Sequence, residues 1–345
     1  MKLFIFSTFL FLSAFSYAQI SRGTEGAPKK EAPTYSDNPE QNFKTNEHAV
    51  DCNTAIEMDP GNKLIYSRKT NKPYTGTCIS YHNNNKRQRI AKFEEGKEVG
   101  ESLSYYSDGK PWTVTSWDAG IENGTWKFWY ESGTLAWENS YEMGIKTGTW
   151  RFFFEDENVK KVLNYKNDLL DGECKYYKPG GKLKKIVNYK AGEFDGPYYT
   201  YYPDEDSLVK SSKTYKNGKK DGESVFYFKD GQVSYTKKYS NGSPIGKWEY
   251  FHPNGQLRTA GEFSNGKKDG LWQYFLDEGQ KQTEILFDKG EELITVEYDR
   301  FGGAKDEEKE AELNQMLSKR KADAAEGKGK KKKKKKSKKS KKGKK

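Results

Sequence analysis

The sequence predicts an all-β protein: an elongated, single-layer antiparallel sheet of about nine tandem β-hairpins, followed by a short helix and a disordered tail. Three observations predict it. Glycines recur at Gly76, Gly100, Gly124, Gly148, Gly172, Gly196, Gly222, Gly246 and Gly270, 24 residues apart except for one interval of 26. An aromatic residue stands five positions after every one of them, from Tyr81 to Phe275. A second follows at +17, from Phe93 to Phe287, with Tyr215 displaced to +19 by a two-residue insertion. Aromatics are only 15% of the chain, so two positions filled nine times out of nine belong to the architecture.

Composition agrees. At 33% hydrophobic and 32% charged, the chain is too polar for one thick core, yet 51 Phe, Trp and Tyr argue against disorder. The net charge of +11 is misleading, because 14 Lys lie within 328–345 and one more is Lys2. What remains, residues 19–327, carries −4, so no broad nucleic-acid-binding surface is expected.

Residues 1–18 read as a signal peptide. Lys2 gives the positive start, Leu3 to Phe15 an apolar core, and Ser16-Tyr17-Ala18 a small-residue cleavage site. The apolar run is well short of the roughly 20 residues that span a bilayer. Residues 19–51, polar and punctuated by Pro28, Pro33 and Pro39, read as a flexible linker. The mature chain is expected in the periplasm or outside the cell.

The array occupies 52–298. In the unit from Gly124, Thr125–Tyr130 has strand composition, Glu131-Ser132-Gly133 turns, and Leu135–Tyr141 returns. Asn217-Gly218, Asn241-Gly242, Asn254-Gly255 and Asn265-Gly266 are strong hairpin turns, since both residue types tolerate positive φ. Because side chains alternate, +2, +4 and +6 share one face and +5 takes the other. Stability then comes from neighbouring units stacking. The insertion at Tyr202–Ser207 reads as a lengthened, solvated tip. A last strand is expected near Leu293–Tyr298, and a helix over 304–321, with Leu313, Met316 and Leu317 as an apolar stripe that caps the array. Residues 328–345 repel themselves into a disordered Lys-rich tail.

Catalytic signatures are missing. His82 and His252 lie at +6 of the first and eighth units, too far apart to share a metal or a triad, and His48 is in the linker. There is no nucleophile elbow, metalloprotease helix, P-loop or dinucleotide fingerprint. Cys78 and Cys174 both occupy +2, four units or about 40 Å apart, whereas a disulfide needs Cα atoms within about 7 Å. Cys52 has only Cys78 in reach. With three Cys at least one thiol is free, and whether those two pair stays open. No enzyme activity, cofactor, metal site or small-molecule substrate is expected.

The Lys72–Gly76 opening resembles the bacterial MORN repeat variant, the type labelled as the antitoxin of a YwqK-like toxin–antitoxin pair. So do the Tyr-x-Asn-Gly-x-x-Asp-Gly block at Tyr215–Gly222 and the Gly-x-Trp strand starts at Gly246 and Gly270. The resemblance covers about Leu64 to Tyr298. It implies a twisted antiparallel sheet that binds proteins or, in some eukaryotic relatives, lipids. An antitoxin meets its toxin in the cytoplasm, which an export signal argues against.

The expected function is therefore an exported scaffold for a protein partner, such as an envelope or outer-membrane secretion complex. The candidate partner-binding residues are extra aromatics beyond the repeat template: Tyr106, Tyr130, Trp137, Phe154, Tyr202, Phe228 and Tyr235, with Trp112 beside them. An alternative is a surface tether whose Lys tail binds anionic lipid or polymer.

Overall fold

The structure, a computed structural model, describes residues 48–205 and 207–341. The expected signal peptide and most of the expected linker, 1–47, lie outside the described residues.

Hairpin follows hairpin in chain order. Gly124–Trp129 pairs antiparallel with Leu135–Glu142, which pairs with Ile145–Phe153, and the ladder continues to Glu291–Glu297. The result is a single sheet of 23 strands in one layer. Two kinds of turn alternate along it. At the tips, Tyr130 N donates to Thr134 O (2.9 Å) and Gly133 N to Tyr130 O (2.9 Å), with Gly133 at φ +93°. Asn254-Gly255 belongs to such a five-residue tip. On the opposite edge, two-residue turns such as Asn217-Gly218 have both residues at positive φ, which matches the right-handed strand twist. Asn167-Asp168 makes the same turn without glycine, at φ +52° and +65°.

The repeat motif now has a mechanism. Gly218 N donates to Phe194 O one unit back, and Gly242 N to Lys220 O. Asp221 Oδ2 accepts from Asn241 N (2.9 Å), and Asp195 Oδ2 from Asn217 N (3.2 Å). Asp195, Asp221 and likewise Asp171, which accepts from Ala191 N (3.0 Å), thus fix the following turn, and the turns are stitched edge to edge. The repeated glycine itself sits at a bulge. Beside Gly148 the pairing jumps from Glu138↔Arg151 to Ser140↔Thr147, so one strand carries surplus residues and bends.

The two ends are capped on opposite faces. At the N-terminal end, Val50–Asp51 pairs parallel with Cys78 and Ile79, so the linker ends before its expected limit at 51. A one-turn helix, Cys52–Ala55, and a three-stranded sheet (Ile56–Met58, Ile65–Ser67, Lys72–Pro73) precede the first hairpin. They bury Cys78, Ala91 and Phe93, with Ile56 from the cap, on the face that carries +2. Cys52 and Cys78 form a disulfide (Cα–Cα 5.0 Å), which settles their pairing; Cys174 is free and fully buried.

At the other end a helix packs on the reverse face. Leu313 (1% exposed), Met316 and Leu317 cover Leu271, Leu286, Ile294, Val296 and Tyr298, as the apolar stripe implied. Buried Glu284 anchors this contact, accepting from Tyr298 Oη (2.6 Å) and Gln273 Nε2 (2.7 Å) and pairing with Lys281 (3.0 Å). Burial alone would raise its pKa. The hydrogen bonds outweigh burial and hold the carboxyl below its usual 4.5. The helix spans Glu307–Lys341, longer than 304–321, so helical backbone covers 328–341 of the segment expected to be disordered. Lys is a good helix former, which extends the helix, while like charges work against it. Residues 342–345 lie outside the described ones.

Candidate functional site

The pairing registers assign every strand position to a face. One column runs Thr113, Phe128, Trp137, Phe152, Lys161, Tyr176, Lys185 and on through Phe226, Tyr235, Tyr250 and Tyr274, each opposite the next. These are offsets +4 and +13. Parallel to it, +2 and +17 form a ladder of rings. Trp117, Trp126, Tyr141, Trp150 and Tyr165 follow one another at centroid separations of 5.1, 5.3, 5.3 and 4.8 Å. Such cross-strand pairs are what stabilise a sheet with no second layer. Cys174 takes the next +2 place and interrupts the ladder.

All seven expected partner-binding residues fall on this one face. Tyr106, Tyr130, Phe154, Tyr202 and Phe228 are the +6 set at the tips; Trp137 and Tyr235 are +13. Each is half-buried. The +6 side chains also do structural work that sequence reasoning missed. Tyr106 Oη donates to Trp129 O (2.6 Å), Tyr130 Oη to Phe153 O (3.1 Å) and Tyr202 Oη to Tyr227 O (2.6 Å), each carbonyl belonging to the next unit. His82 Nε2 reaches Tyr105 O and His252 Nε2 reaches Phe275 O in the same way. Burial, and beside Tyr202 the Asp230 carboxylate, raises the phenol pKa values of Tyr106 and Tyr202. These hydroxyls are inter-unit ties, each worth about 1 kcal/mol.

The face changes character along its length. Between Gly100 and Tyr141 its strand positions carry no Lys or Arg, and the one cation beside them is Lys110 at a tip. Trp112 is 43% exposed there, edge-on to Phe128 (6.2 Å), and Phe128 stacks flat on Trp137 (5.5 Å, 5°). Exposed Ile121 and Ile145, with Met143 beside them, border it on the turn edge; exposed Leu169 continues that row before Glu193, Lys219, Ser243 and Lys267 take the same position. From Lys146 onward, cations stand over the rings: Lys161 over Phe152 at 4.0 Å, Lys185 over Tyr176 at 4.2 Å, Lys237 over Tyr235 at 4.2 Å. Phe154 and Tyr202 lie under Lys160 and Lys210. The sequence carried this signal in the shared parity of +13, +15 and +22 with the aromatics, but only the register makes it legible.

Pockets are shallow. The larger, about 400 Å³ and open, lies at the last tips and is lined by His252, Arg258, Tyr274 and Asp277, among others. His252 Nε2 is bonded there to the Phe275 carbonyl. Among the described residues no cluster of His, Cys, Asp or Glu is arranged to hold a metal, and no helix is long and apolar enough to cross a membrane.

No curated protein matches the chain. Among solved structures it is similar to a mutant of S. aureus TarM in complex with Fondaparinux, alpha-GlcNAc-glycerol and UDP (14% identity, 35% of this chain and 19% of that one, TM-score 0.17). It is also similar to TcdB2-TccC3-TEV (11%, 72% and 14%, 0.18) and to a Photorhabdus luminescens Tc holotoxin pore with a mutated TccC3 (12%, 72% and 15%, 0.17). The chain spans less than a fifth of each of these, and the TM-scores are too low to bear on fold or function. Residues 122–142, 146–167, 170–191 and 244–265 each match the family described as MORN repeat variant. With the stitched turns recurring along the array, the chain is a repeat protein, and four of its units match the MORN repeat variant.

Proposed function

We propose that the chain is an exported, non-catalytic scaffold whose repeat array binds a protein partner of the cell envelope. One observation carries this reading: the stretch of sheet face between Gly100 and Tyr141, rich in aromatic side chains and with no Lys or Arg at its strand positions. Cores of protein interfaces have that composition, aromatic-rich and depleted of Lys. Trp112, with Ile121, Met143 and Ile145 on the adjoining edge, supplies exposed apolar area, and several hairpins together reach the roughly 800 Å² per partner that a stable interface needs. Export is supported by the signal-peptide pattern and by the Cys52–Cys78 disulfide, which persists in oxidising compartments.

The test is a double substitution, Trp112→Ser with Ile145→Ser, at residues exposed enough to leave folding alone. Co-purification of the envelope partner should be lost while the melting temperature stays near wild type. Partner recovery that survives the double change would refute the assignment of this surface. Fractionation that finds the mature chain in the cytoplasm would refute export.

A further inference from the structure

The cations that begin at Lys146 have no counterpart in the scaffold reading. Six of them, Lys146, Lys161, Lys185, Lys213, Lys237 and Lys268, share the ring-bearing face, each half-buried and each over one or more aromatic rings. None of the six has a carboxylate partner among the described residues, and no strand position on that face between Lys146 and Lys268 carries an acid. The reverse face is the opposite. There Arg151 pairs with Glu138 (3.0 Å), Lys175 with Glu173 (3.1 Å) and Lys247 with Glu249 (2.6 Å). The reverse face pairs several of its cations with carboxylates, whereas these six are left open.

We propose that the face from Lys146 to Lys268 is a binding track for a linear acidic polysaccharide. Charge complementarity requires an anion, since the track holds cations without carboxylates. Its length requires a chain, because five units at about 10 Å each extend the cations over roughly 50 Å. Twist excludes a flat membrane: strands rotate by roughly 20° each, so about ten strand steps turn the track through some 200°, which a flexible polymer follows and a bilayer cannot. An ordinary protein interface is disfavoured by the density of Lys, a residue depleted from interface cores. Ring faces between the cations offer apolar surface to the CH faces of sugars. The choice of a glycan over a nucleic acid rests on the export reading above. Burial lowers the pKa values of Lys161, Lys185, Lys213 and Lys237, which means that these ammonium groups are partly stripped of water and gain from an incoming anion.

The test uses the full chain and four probes: polygalacturonate, single-stranded DNA, vesicles containing phosphatidylglycerol, and neutral dextran. Two fourfold variants are compared with wild type. Lys161→Gln, Lys185→Gln, Lys213→Gln and Lys237→Gln discharge the track. Lys127→Gln, Lys175→Gln, Lys238→Gln and Lys247→Gln remove the same charge from the reverse face, and the Lys tail is common to both. Polygalacturonate should bind wild type more tightly than the other probes. Binding should weaken about tenfold or more in the track variant and less than about twofold in the reverse-face variant, and fall with salt. Lys→Arg at the same four track positions should restore it. Equal losses in the two variants, tighter binding of DNA or vesicles, or absence of salt dependence overturns the proposal. If the track variant fails to fold, the single changes Lys161→Gln and Lys185→Gln should each weaken binding about twofold, and no change in either also overturns it. None of these results bears on partner co-purification, so the two readings fail separately.

Discussion

The stretch from Gly100 to Tyr141 and the stretch from Lys146 to Lys268 lie on one face, with the same turns, yet only the second carries cations over its rings. The template positions, the glycines, +5 and +17, are filled alike in both. The difference sits at +13, +15 and +22, where Thr113, Thr115 and Glu122 give way to Lys161, Lys213 and Lys146 or their equivalents. A stacked hairpin array therefore separates what builds the sheet from what the sheet presents, and one fold can offer two surfaces end to end.

The largest effect should come from the ladder that both stretches share. Trp150, 7% exposed between Tyr141 and Tyr165, should cost about 3–5 kcal/mol when changed to Ala. Half-buried Trp126 should cost less by the same route. Chemical denaturation of both variants separates the two; equal losses would mean that burial does not set the ladder's strength.

The N-terminal cap sharpens the comparison, since it packs on the first hairpin, next to the first stretch and far from the second. Cys52→Ser opens a loop of sequence separation 26, worth about 3 kcal/mol in the chain-entropy account. Hydrogen exchange should quicken in the first two units and stay unchanged beyond Lys146. Uniform acceleration along the array would show that the units do not behave as nearest neighbours.

Acid should act at the other end. Glu284 has a folded pKa below 4.5, so its contribution is present above that value and is lost as pH falls through the lowered one. As pH falls below 4.5 the helix contact on Leu286 and Val296 should loosen before the first stretch does. Exchange rates over residues 307–320 against pH measure this, and Glu284→Gln should blunt the pH response.

The smallest effect tests the open cations themselves. Lys161→Met keeps the stem on Phe152 and removes a charge that burial penalises, so stability should change by less than about 0.5 kcal/mol or rise. Arg151→Met on the reverse face strands Glu138 and should lower stability by about 0.5–1 kcal/mol. If the two changes are equivalent, the faces do not differ in charge pairing.

Much of this was legible in the residues. The glycine spacing located all nine hairpins, and Leu313, Met316 and Leu317 announced the capping helix, because periodicity and amphipathic stripes are local signals. The N-terminal cap was not, since Ile56–Met58 and Ile65–Ser67 are short strands without a repeat to reveal them. The candidate aromatics, chosen as departures from the repeat template, all lie on one face. What alternation could not show is that Tyr106, Tyr130 and Tyr202 spend their hydroxyls on a carbonyl one unit on, 23 or 25 residues away in the chain. The lysines escaped notice for a related reason: a charge in a polar sequence looks solvated until its opposite strand is known.

The strictly sequential ladder has a mechanical consequence. Every strand of the array is bonded to its neighbours in the chain, so tension on the two ends loads the hydrogen bonds a few at a time, as in a zipper, and never the whole sheet in shear. Pulled in solution, the array should yield in near-equal steps of 24 residues, about 80 Å of contour each, at modest force. The segment between Cys52 and Cys78 would release no length until its disulfide is reduced, so the N-terminal end is the one fixed point from which an extended array could recoil and rewind.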